Sequence, residues 1–315
     1  MKRMISLALA VILALGLLAG CGAPAEGARL TVVTTCFALY DWTRNVVGDV
    51  PGAEVVWLMD SGVDPHSFQP SVEDLMRLSD CDLFVYVGGE SDQWAADALS
   101  EAKNENLTAL NLLQAMGGAA LTEQAVPGAE PETEEAADAQ EEHIWMSLKN
   151  AQICVQAIAE ALAALDPDFE NGYRENAAGY CEKLRALDES YTEALAQAQK
   201  RAILVADRFP FRYLAEDYDL DYYAAFSGCS AETEASFQTV TGLAKTADDL
   251  ALPVILVTEN GKRDIAETVV KNTETRPEIR VLDSLQSVTA EDTDTTYLSA
   301  MSDNLEVLKE ALQCR

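Results

Sequence analysis

The chain contains only two histidines, and each lies where a predicted loop meets a predicted helix. His66 follows a strand pattern and precedes a helix whose start is indicated by Ser71. His143 lies between an acidic segment and another helix. A neutral imidazole can bind a transition metal ion. A lone histidine is more often a surface residue or a hydrogen-bonded core residue, so the two positions alone leave both interpretations open.

Runs of apolar and β-branched residues alternate with helical patterns along most of the chain. Uninterrupted runs of this kind are typical of buried parallel strands, and the alternation predicts βα units. The predicted strands are residues 30–35, 55–58, 83–87 and 107–110, then 202–206, 222–226, 253–258 and 279–282. The predicted helices are residues 72–78, 92–103, 233–248, 264–271 and 297–312. The fold class is therefore α/β, with two similar lobes that each contain a mostly parallel sheet flanked by helices. The loops at the carboxyl ends of such strands are where these sheets bind ligands.

A long helical pattern without proline separates the two lobes. As one continuous helix, its roughly thirty residues would span roughly 45 Å. We therefore predict a first lobe at residues 29–167, a rigid linking helix at 168–200 and a second lobe at 201–315. A rigid link of this kind allows only a small relative movement of the lobes.

An acidic segment interrupts the first lobe at residues 123–142. It contains eight acidic residues, two prolines and no basic residue. This composition is typical of a mobile segment outside the core. Two interpretations of its role stay open: weak pre-concentration of cations, or a solvated tether.

The overall charge excludes one class of partner. The 53 acidic residues outnumber the 22 basic ones, which gives a formal net charge of −31 and a pI near 4.2. Without a basic patch the chain cannot displace counterions from phosphates, so nucleic acid is not an expected partner.

The beginning of the chain has the layout of a secretory signal peptide. Lys2 and Arg3 precede an apolar stretch too short to span a bilayer, and this stretch ends in Leu-Ala-Gly before Cys21. The ending resembles a bacterial lipobox, which implies a signal peptide at residues 1–20, a lipid-modified Cys21 and a tether at residues 21–28. The mature protein would then be extracytoplasmic and anchored to the bacterial cell membrane. An ordinary signal peptide with an incidental cysteine is the alternative.

Six further cysteines are scattered along the chain without a CxxC pair. Export permits disulfides, but buried free thiols are an equally good interpretation. These cysteines are Cys36, Cys81, Cys154, Cys181, Cys229 and Cys314.

Four stretches resemble the zinc- and manganese-binding lipoproteins of metal ABC transporters. They are residues 64–90 with His66, residues 143–147, residues 230–236 with Glu234, and residues 281–283. The second of these resembles the family's second histidine motif, although Leu148 replaces the usual proline. Together with the order of lobe, helix and lobe, the resemblance covers nearly the whole mature chain.

The resemblance implies a metal site between the lobes, with two ligands from each. By this resemblance His66 and His143 are nitrogen ligands, and Asp283 is an oxygen ligand from the second lobe. Imidazole and carboxylate donors suit zinc or manganese, and no thiolate is needed. Zinc is expected to bind such donors more tightly in vitro.

The chain departs from the family at the fourth ligand. An ungapped count places Arg208 at the ligand position, and a guanidinium cannot bind a cation. A one-residue shift places Asp207 there, and Asp207 is our predicted ligand. Glu232 and Glu234 remain alternatives. We expect Arg208 to point away from the ion, toward a carboxylate of the second lobe.

The function implied by the resemblance is capture of zinc or manganese and its delivery to an ABC import permease. The protein would be a monomer without catalytic activity. A metal-binding surface adhesin is an alternative from another class. A secreted metallohydrolase is less favoured, because it would need a general base and the sequence has no HExxH motif.

Overall fold

The computed structural model describes residues 29–130, 140–228 and 234–315. Within them the chain forms two lobes, each built on a four-stranded sheet. The first sheet contains β1 (Leu30–Thr34), β2 (Ala53–Trp57), β3 (Leu83–Tyr86) and β4 (Thr108–Asn111). The second contains β5 (Ala202–Val205), β6 (Asp221–Ala224), β7 (Val254–Val257) and β8 (Glu278–Val281).

Helices flank both sheets. Those before the second lobe are α1 (Phe37–Val47), α2 (Val72–Asp80), α3 (Trp94–Ser100), α4 (Leu112–Met116), α5 (Leu148–Leu165) and α6 (Glu170–Leu195). Those of the second lobe are α7 (Arg212–Asp217), α8 (Phe237–Asp249), α9 (Arg263–Lys271) and α10 (Tyr297–Ala311). Polar side chains set several of the starts: Ser71 and Asp74 form a reciprocal capping box at α2, and Ser147 caps α5.

The two sheets have the same topology. Their strand orders are β2-β1-β3-β4 and β6-β5-β7-β8, and every pair is parallel. The carboxyl ends of all strands in a sheet therefore meet at one edge. In each sheet the chain order reverses around the first strand of the lobe, and ligands bind in the crevice outside such a reversal.

The linking helix α6 has 26 residues, which corresponds to about 39 Å. It packs against α1 and α5 of the first lobe and α10 of the second. Tyr180 donates a hydrogen bond to Asp41 at 2.6 Å, and Tyr191 donates one to the carbonyl of Met301 at 2.5 Å. One apolar cluster includes buried residues of both lobes and of α6. The lobes are therefore packed through a shared core as well as connected by the chain.

The α/β fold with two parallel sheets and a long helix between them confirms the predicted fold class. The helices α1, α4 and α7 were not predicted. The signal peptide, Cys21 and the tether lie outside the described residues. In the parts of the chain that the structure describes, no helix is long and apolar enough to cross a membrane.

The described ends of the acidic segment differ from the prediction for it. Glu141 and Glu142 are buried, as is Val126, and Thr122 pairs with Gln140 in an antiparallel bridge. The carboxylates of Glu141 and Glu142 can be buried because hydrogen-bond donors, described below, satisfy them. Residues 131–139 of the segment lie outside the described residues.

The cysteines of the described ranges are free thiols. Cys36, Cys81, Cys154 and Cys181 are buried, and Cys314 is partly exposed. Burial raises the pKa of Cys36 and of Cys81 to about 12. Their thiols are therefore core groups rather than nucleophiles. Cys229 lies outside these ranges.

Candidate metal centre

His66 lies in a single 3₁₀ turn after β2. The turn, Pro65–Ser67, begins with proline, whose fixed φ suits the first helical position. The Asp64 carboxylate accepts a hydrogen bond from the backbone N–H of His66 at 3.0 Å. The imidazole Nδ1 lies 2.7 Å from Oγ of Ser91, in the loop after β3. This hydroxyl can accept from Nδ1–H, which leaves the lone pair of Nε2 for a metal.

His143 is fully buried, just before the 3₁₀ turn Ile144–Met146. The Glu141 carboxylate accepts hydrogen bonds from the backbone N–H of His143 at 3.0 Å and from its Nδ1. Since a carboxylate only accepts, Nδ1 carries hydrogen and Nε2 is the nitrogen left for a metal. Carboxylates are commonly found behind metal-binding histidines in this arrangement.

The two imidazoles face each other, with their Nε2 atoms 3.1 Å apart. Burial, followed by the charge of His143, lowers the pKa of His66 to about 4. Burial also disfavours protonation of His143, but the charge and hydrogen bond of Glu141 outweigh it and raise the pKa of His143. When the pair is protonated, the proton therefore belongs to His143, whose Nε2 would then donate a hydrogen bond to Nε2 of His66. A cation bound between the two nitrogens would replace that proton.

Glu142 connects the two histidine segments. Its carboxylate accepts hydrogen bonds from the backbone N–H groups of Glu90 and Ser91, the latter at 3.0 Å. It also lies 3.9 Å from Nδ1 of His66. The loop that presents Ser91 to His66 is therefore fixed by the residue next to His143.

Asp207 and Arg208 follow β5 in the second lobe. One Asp207 carboxylate oxygen accepts a hydrogen bond from Oγ1 of Thr258 at 2.5 Å. Arg208 Nη2 lies 2.5 Å from Oδ2 of Asp64. The expectation that Arg208 pairs with a carboxylate of its own lobe is therefore wrong. The loop after β5 faces the His66 turn across the cleft between the lobes, so the ion-pair partner of Arg208 belongs to the first lobe.

Asp283 follows β8 and accepts a hydrogen bond from the backbone N–H of Leu285 at 2.7 Å. Burial and the charge of Glu259 raise the pKa of Asp283 to about 6. The Glu259 carboxylate accepts hydrogen bonds from the backbone N–H and Oγ of Ser284, each at 2.8 Å. Two carboxylates thus lie close together at this edge of the second sheet, where a cation would offset their repulsion.

The second lobe also contacts the His143 turn. Trp145 donates a hydrogen bond from Nε1 to the carbonyl of Ser284 at 2.8 Å, and Tyr297 donates one to the carbonyl of Trp145 at 2.6 Å. A Cβ on Gly228 would lie 2.9 Å from Cε1 of His143, so glycine permits this close approach. The His143 ring is therefore enclosed by both lobes.

The structure brings His66 and His143 together. Asp207 and Asp283 lie in loops of the second lobe that border the same cleft, but their carboxylates are bonded within that lobe. Across residues 29–130, 140–228 and 234–315, no three His, Cys, Asp or Glu side chains form a group that could hold a metal ion. Glu234 is exposed, and Glu232 lies outside the described residues.

Sequence reasoning missed Glu141, Glu142 and Ser91, which orient the histidines. The position of two acidic residues directly before His143 is the one signal that could have found the first two. Ser91 is 25 residues from His66, and no local pattern relates the two.

Comparison with known proteins identifies the family. The family model ZnuA, described as "Zinc-uptake complex component A periplasmic", matches residues 32–311. The chain belongs to the ZnuA family. The resemblance to metal-binding lipoproteins of ABC transporters is thereby confirmed. The ZnuA family consists of solute-binding proteins of metal transport, which agrees with the prediction that the chain is not an enzyme.

Relatives of known structure or curated name agree with this family. The zinc-binding lipoprotein AdcA of Streptococcus pneumoniae is 32% identical over 98% of this chain and 61% of its own length. A crystal structure of its Zn(II)-bound ZnuA-like domain has 30% identity and a TM-score of 0.72, covering 90% of this chain and 99% of that domain. The high-affinity zinc uptake system protein ZnuA of Bacillus subtilis is 30% identical over 94% of both chains.

A further relative is described as bifunctional. The laminin-binding protein Lmb of Streptococcus agalactiae, "with adhesin and metal transporting activity", has 26% identity and a TM-score of 0.72, covering 90% of this chain and 99% of that one. The chain spans 61% of the length of the AdcA relatives from Streptococcus pneumoniae.

Proposed function

We propose that the chain captures a divalent transition metal ion, zinc or manganese, between its lobes and delivers it to an ABC import permease. The observation that carries the proposal is the pair of imidazoles, buried for His143 and half-buried for His66, whose Nε2 atoms face each other at 3.1 Å. Both Nδ1 atoms are already engaged, by Ser91 and Glu141. A histidine pair oriented in this way is suited to bind one cation.

The spacing of the two nitrogens supports this role. Zinc–nitrogen bonds of about 2.0–2.1 Å in a tetrahedral site place two nitrogens about 3.3 Å apart. The Nε2 atoms would therefore separate by only a few tenths of an ångström to admit zinc. Since the carboxylate of Glu141 lies behind His143, the charge of the cation is partly balanced before any further ligand binds.

Asp207 and Asp283 are the proposed ligands of the second lobe. Asp207 would exchange its bond to Thr258 for the metal, and Asp283 would exchange its bond to Leu285. The raised pKa of Asp283 supports its part, because a carboxylate crowded by Glu259 gains most from a nearby cation. Glu232 and Glu234 are the alternatives for the fourth ligand.

Titration calorimetry with zinc on single variants tests the ligand set. Asp207→Ala and Asp283→Ala should each weaken binding, while Glu234→Ala should bind like the parent. If Glu234→Ala loses affinity and Asp207→Ala does not, Glu234 is the fourth ligand. If all three variants bind like the parent, the site does not bridge the lobes.

We favour zinc over manganese as the cargo. Zinc binds the same donors more tightly than manganese at equilibrium, and the similar proteins AdcA and ZnuA are named for zinc. Competition titration of the parent should therefore show zinc displacing manganese. Displacement of zinc by equimolar manganese would overturn this preference.

Membrane attachment through Cys21 is part of the proposed function. A lipid anchor would keep the metal-binding lobes beside the permease at the extracytoplasmic face. A single acyl chain binds a bilayer only marginally, so we propose at least two. We also propose that the chain acts as a monomer.

A surface adhesin is the second candidate, and the similarity to Lmb favours it. This role is compatible with metal capture, because it would use the outer surface of the lobes. Binding of the purified protein to immobilised laminin, with and without zinc, tests it. No binding above that of an albumin control in either condition would exclude it.

A further inference from the structure

The segment that leads into the His66 turn is bonded to the second lobe. The carbonyl of Asp60 accepts a hydrogen bond from the backbone N–H of Ala290 at 2.7 Å. The next residue, Ser61, forms an isolated antiparallel bridge with Thr289. A short stretch of the first lobe therefore pairs, strand to strand, with the loop that follows Asp283.

Gly62 makes this close approach possible. Its φ is +71°, and a Cβ at this position would lie 2.8 Å from the carbonyl oxygen of Ser287 and 3.0 Å from Cγ2 of Thr289. A side chain would therefore both strain the backbone and push the two loops apart.

The ion pair of Asp64 and Arg208 holds the other end of the same segment. The Asp64 side chain uses its second oxygen to accept the backbone N–H of His66. The His66 turn is therefore bonded to a guanidinium of the second lobe through a single carboxylate.

The second-lobe side of these contacts is itself well fixed. Glu259 accepts hydrogen bonds from the Ser284 amide and from Oγ of Ser287, the latter at 3.1 Å. Asp292 accepts hydrogen bonds from the backbone N–H and Oγ1 of Thr289, at 2.9 and 2.7 Å. Since these hydrogen bonds tie the loop to Glu259 of the second lobe, its contacts relate the position of that lobe to the position of the His66 segment.

We propose that these contacts form an interlobe clasp that positions His66 for metal binding. The clasp comprises residues 60–64 of the first lobe, and residues 287–290 with Arg208 of the second. The inference rests on the proposed role of the histidine pair, and no clasp residue is itself a proposed ligand. A partner that separates the lobes at the clasp would displace His66 from His143 and so lower the affinity of the histidine pair for the metal.

The substitution Gly62→Ala tests the clasp, with Gly117→Ala as its matched control. Gly117 also has a positive φ, of +55°, but a Cβ there would meet nothing within 4 Å. Both variants therefore strain the backbone, and only the first disturbs the lobe contact. We expect Gly62→Ala to bind zinc about 10-fold more weakly than the parent, as substitutions behind metal ligands do. Gly117→Ala should bind like the parent.

A second variant avoids the strained glycine. The double substitution Asp64→Asn with Arg208→Gln removes the ion pair without changing the net charge, and asparagine can still cap the His66 turn. It should also weaken zinc binding several-fold. Circular dichroism melts establish that each variant is folded at the titration temperature.

Hydrogen exchange of the Ala290 amide in metal-free protein reports the clasp independently of metal. Gly62→Ala should accelerate this exchange. Unchanged exchange, or faster exchange with zinc affinity equal to that of the parent, would overturn the inference. Failure of the parent itself to bind zinc or manganese would instead refute the proposed function on which the inference rests.

Discussion

Replacing Glu141 by glutamine should weaken zinc binding by about 10- to 100-fold at pH 8. The Glu141 carboxylate is buried and accepts hydrogen bonds from two nitrogens of His143. Glutamine keeps the shape and one acceptor oxygen but removes the charge. A hydrogen bond to a charged group contributes about 1.5–3 kcal/mol, and each ~1.4 kcal/mol corresponds to a tenfold change in affinity.

The effect should depend on pH in a defined direction. Glu141 raises the pKa of His143, so in the parent a proton competes with zinc as the pH falls through that raised value. Glutamine removes this competition because the pKa of His143 falls. The loss of affinity relative to the parent should therefore shrink between pH 8 and pH 6. The pKa of His66 is about 4, so His66 contributes no proton in this range.

Titration calorimetry in buffers of different ionisation enthalpy measures both quantities. The parent should release up to one proton per zinc ion below the pKa of His143, and Glu141→Gln should release fewer. The control is Glu193→Gln, which removes one charge from an exposed position on α6. Equal zinc affinity of Glu141→Gln and the parent at pH 8 would refute the positioning role of this carboxylate.

Three further predictions concern stability, anchoring and lobe movement. Burial and the charge of Glu142 raise the pKa of Asp92 to about 7, so its contribution to stability is lost as the pH rises through 7. Asp92→Asn should therefore raise the free energy of unfolding relative to the parent, and this gain, measured by urea denaturation, should be about 2 kcal/mol larger at pH 8 than at pH 5. A smaller gain at pH 8 than at pH 5 would contradict this prediction. Cys21→Ala should release the protein from membranes or leave its signal peptide uncut, whereas unchanged processing and attachment would refute the anchor. Small-angle scattering profiles with and without zinc should nearly superimpose, because α6 and the shared core restrain the lobes. A change of several ångströms in radius of gyration would contradict this restraint.

The strands were the most predictable part of the fold. Continuous apolar runs such as those of β5 and β7 are completely buried, and such runs identify parallel strands from local sequence alone. The first helix, α1, was harder to predict, because its N-cap residue Cys36 makes no side-chain capping bond and its first turn has no acidic residue. The start of α1 depends on the packing of this helix against β1 and β2.

The site was predictable only in part, because its decisive contacts join distant residues. The two histidines were identified from their type and their position before helices. The ion pair of Asp64 with Arg208, and the contact of Ser91 with His66, depend on how the loops meet across the cleft. Composition alone suggested that Glu141 and Glu142 belong to a mobile segment. In the structure both carboxylates are buried, and hydrogen-bond donors of the two histidine segments satisfy them.

The central claim is that His66 and His143 together bind one metal ion. The most direct test is a zinc titration, with metal analysis, of protein purified without chelator, comparing the parent with His66→Ala and His143→Ala. The parent should bind one zinc ion per chain at a high-affinity site, and each single variant should lose that site. Weak zinc binding by exposed carboxylates is expected in all three proteins and is separate from the high-affinity site. High-affinity stoichiometric binding that persists in either variant would contradict the account.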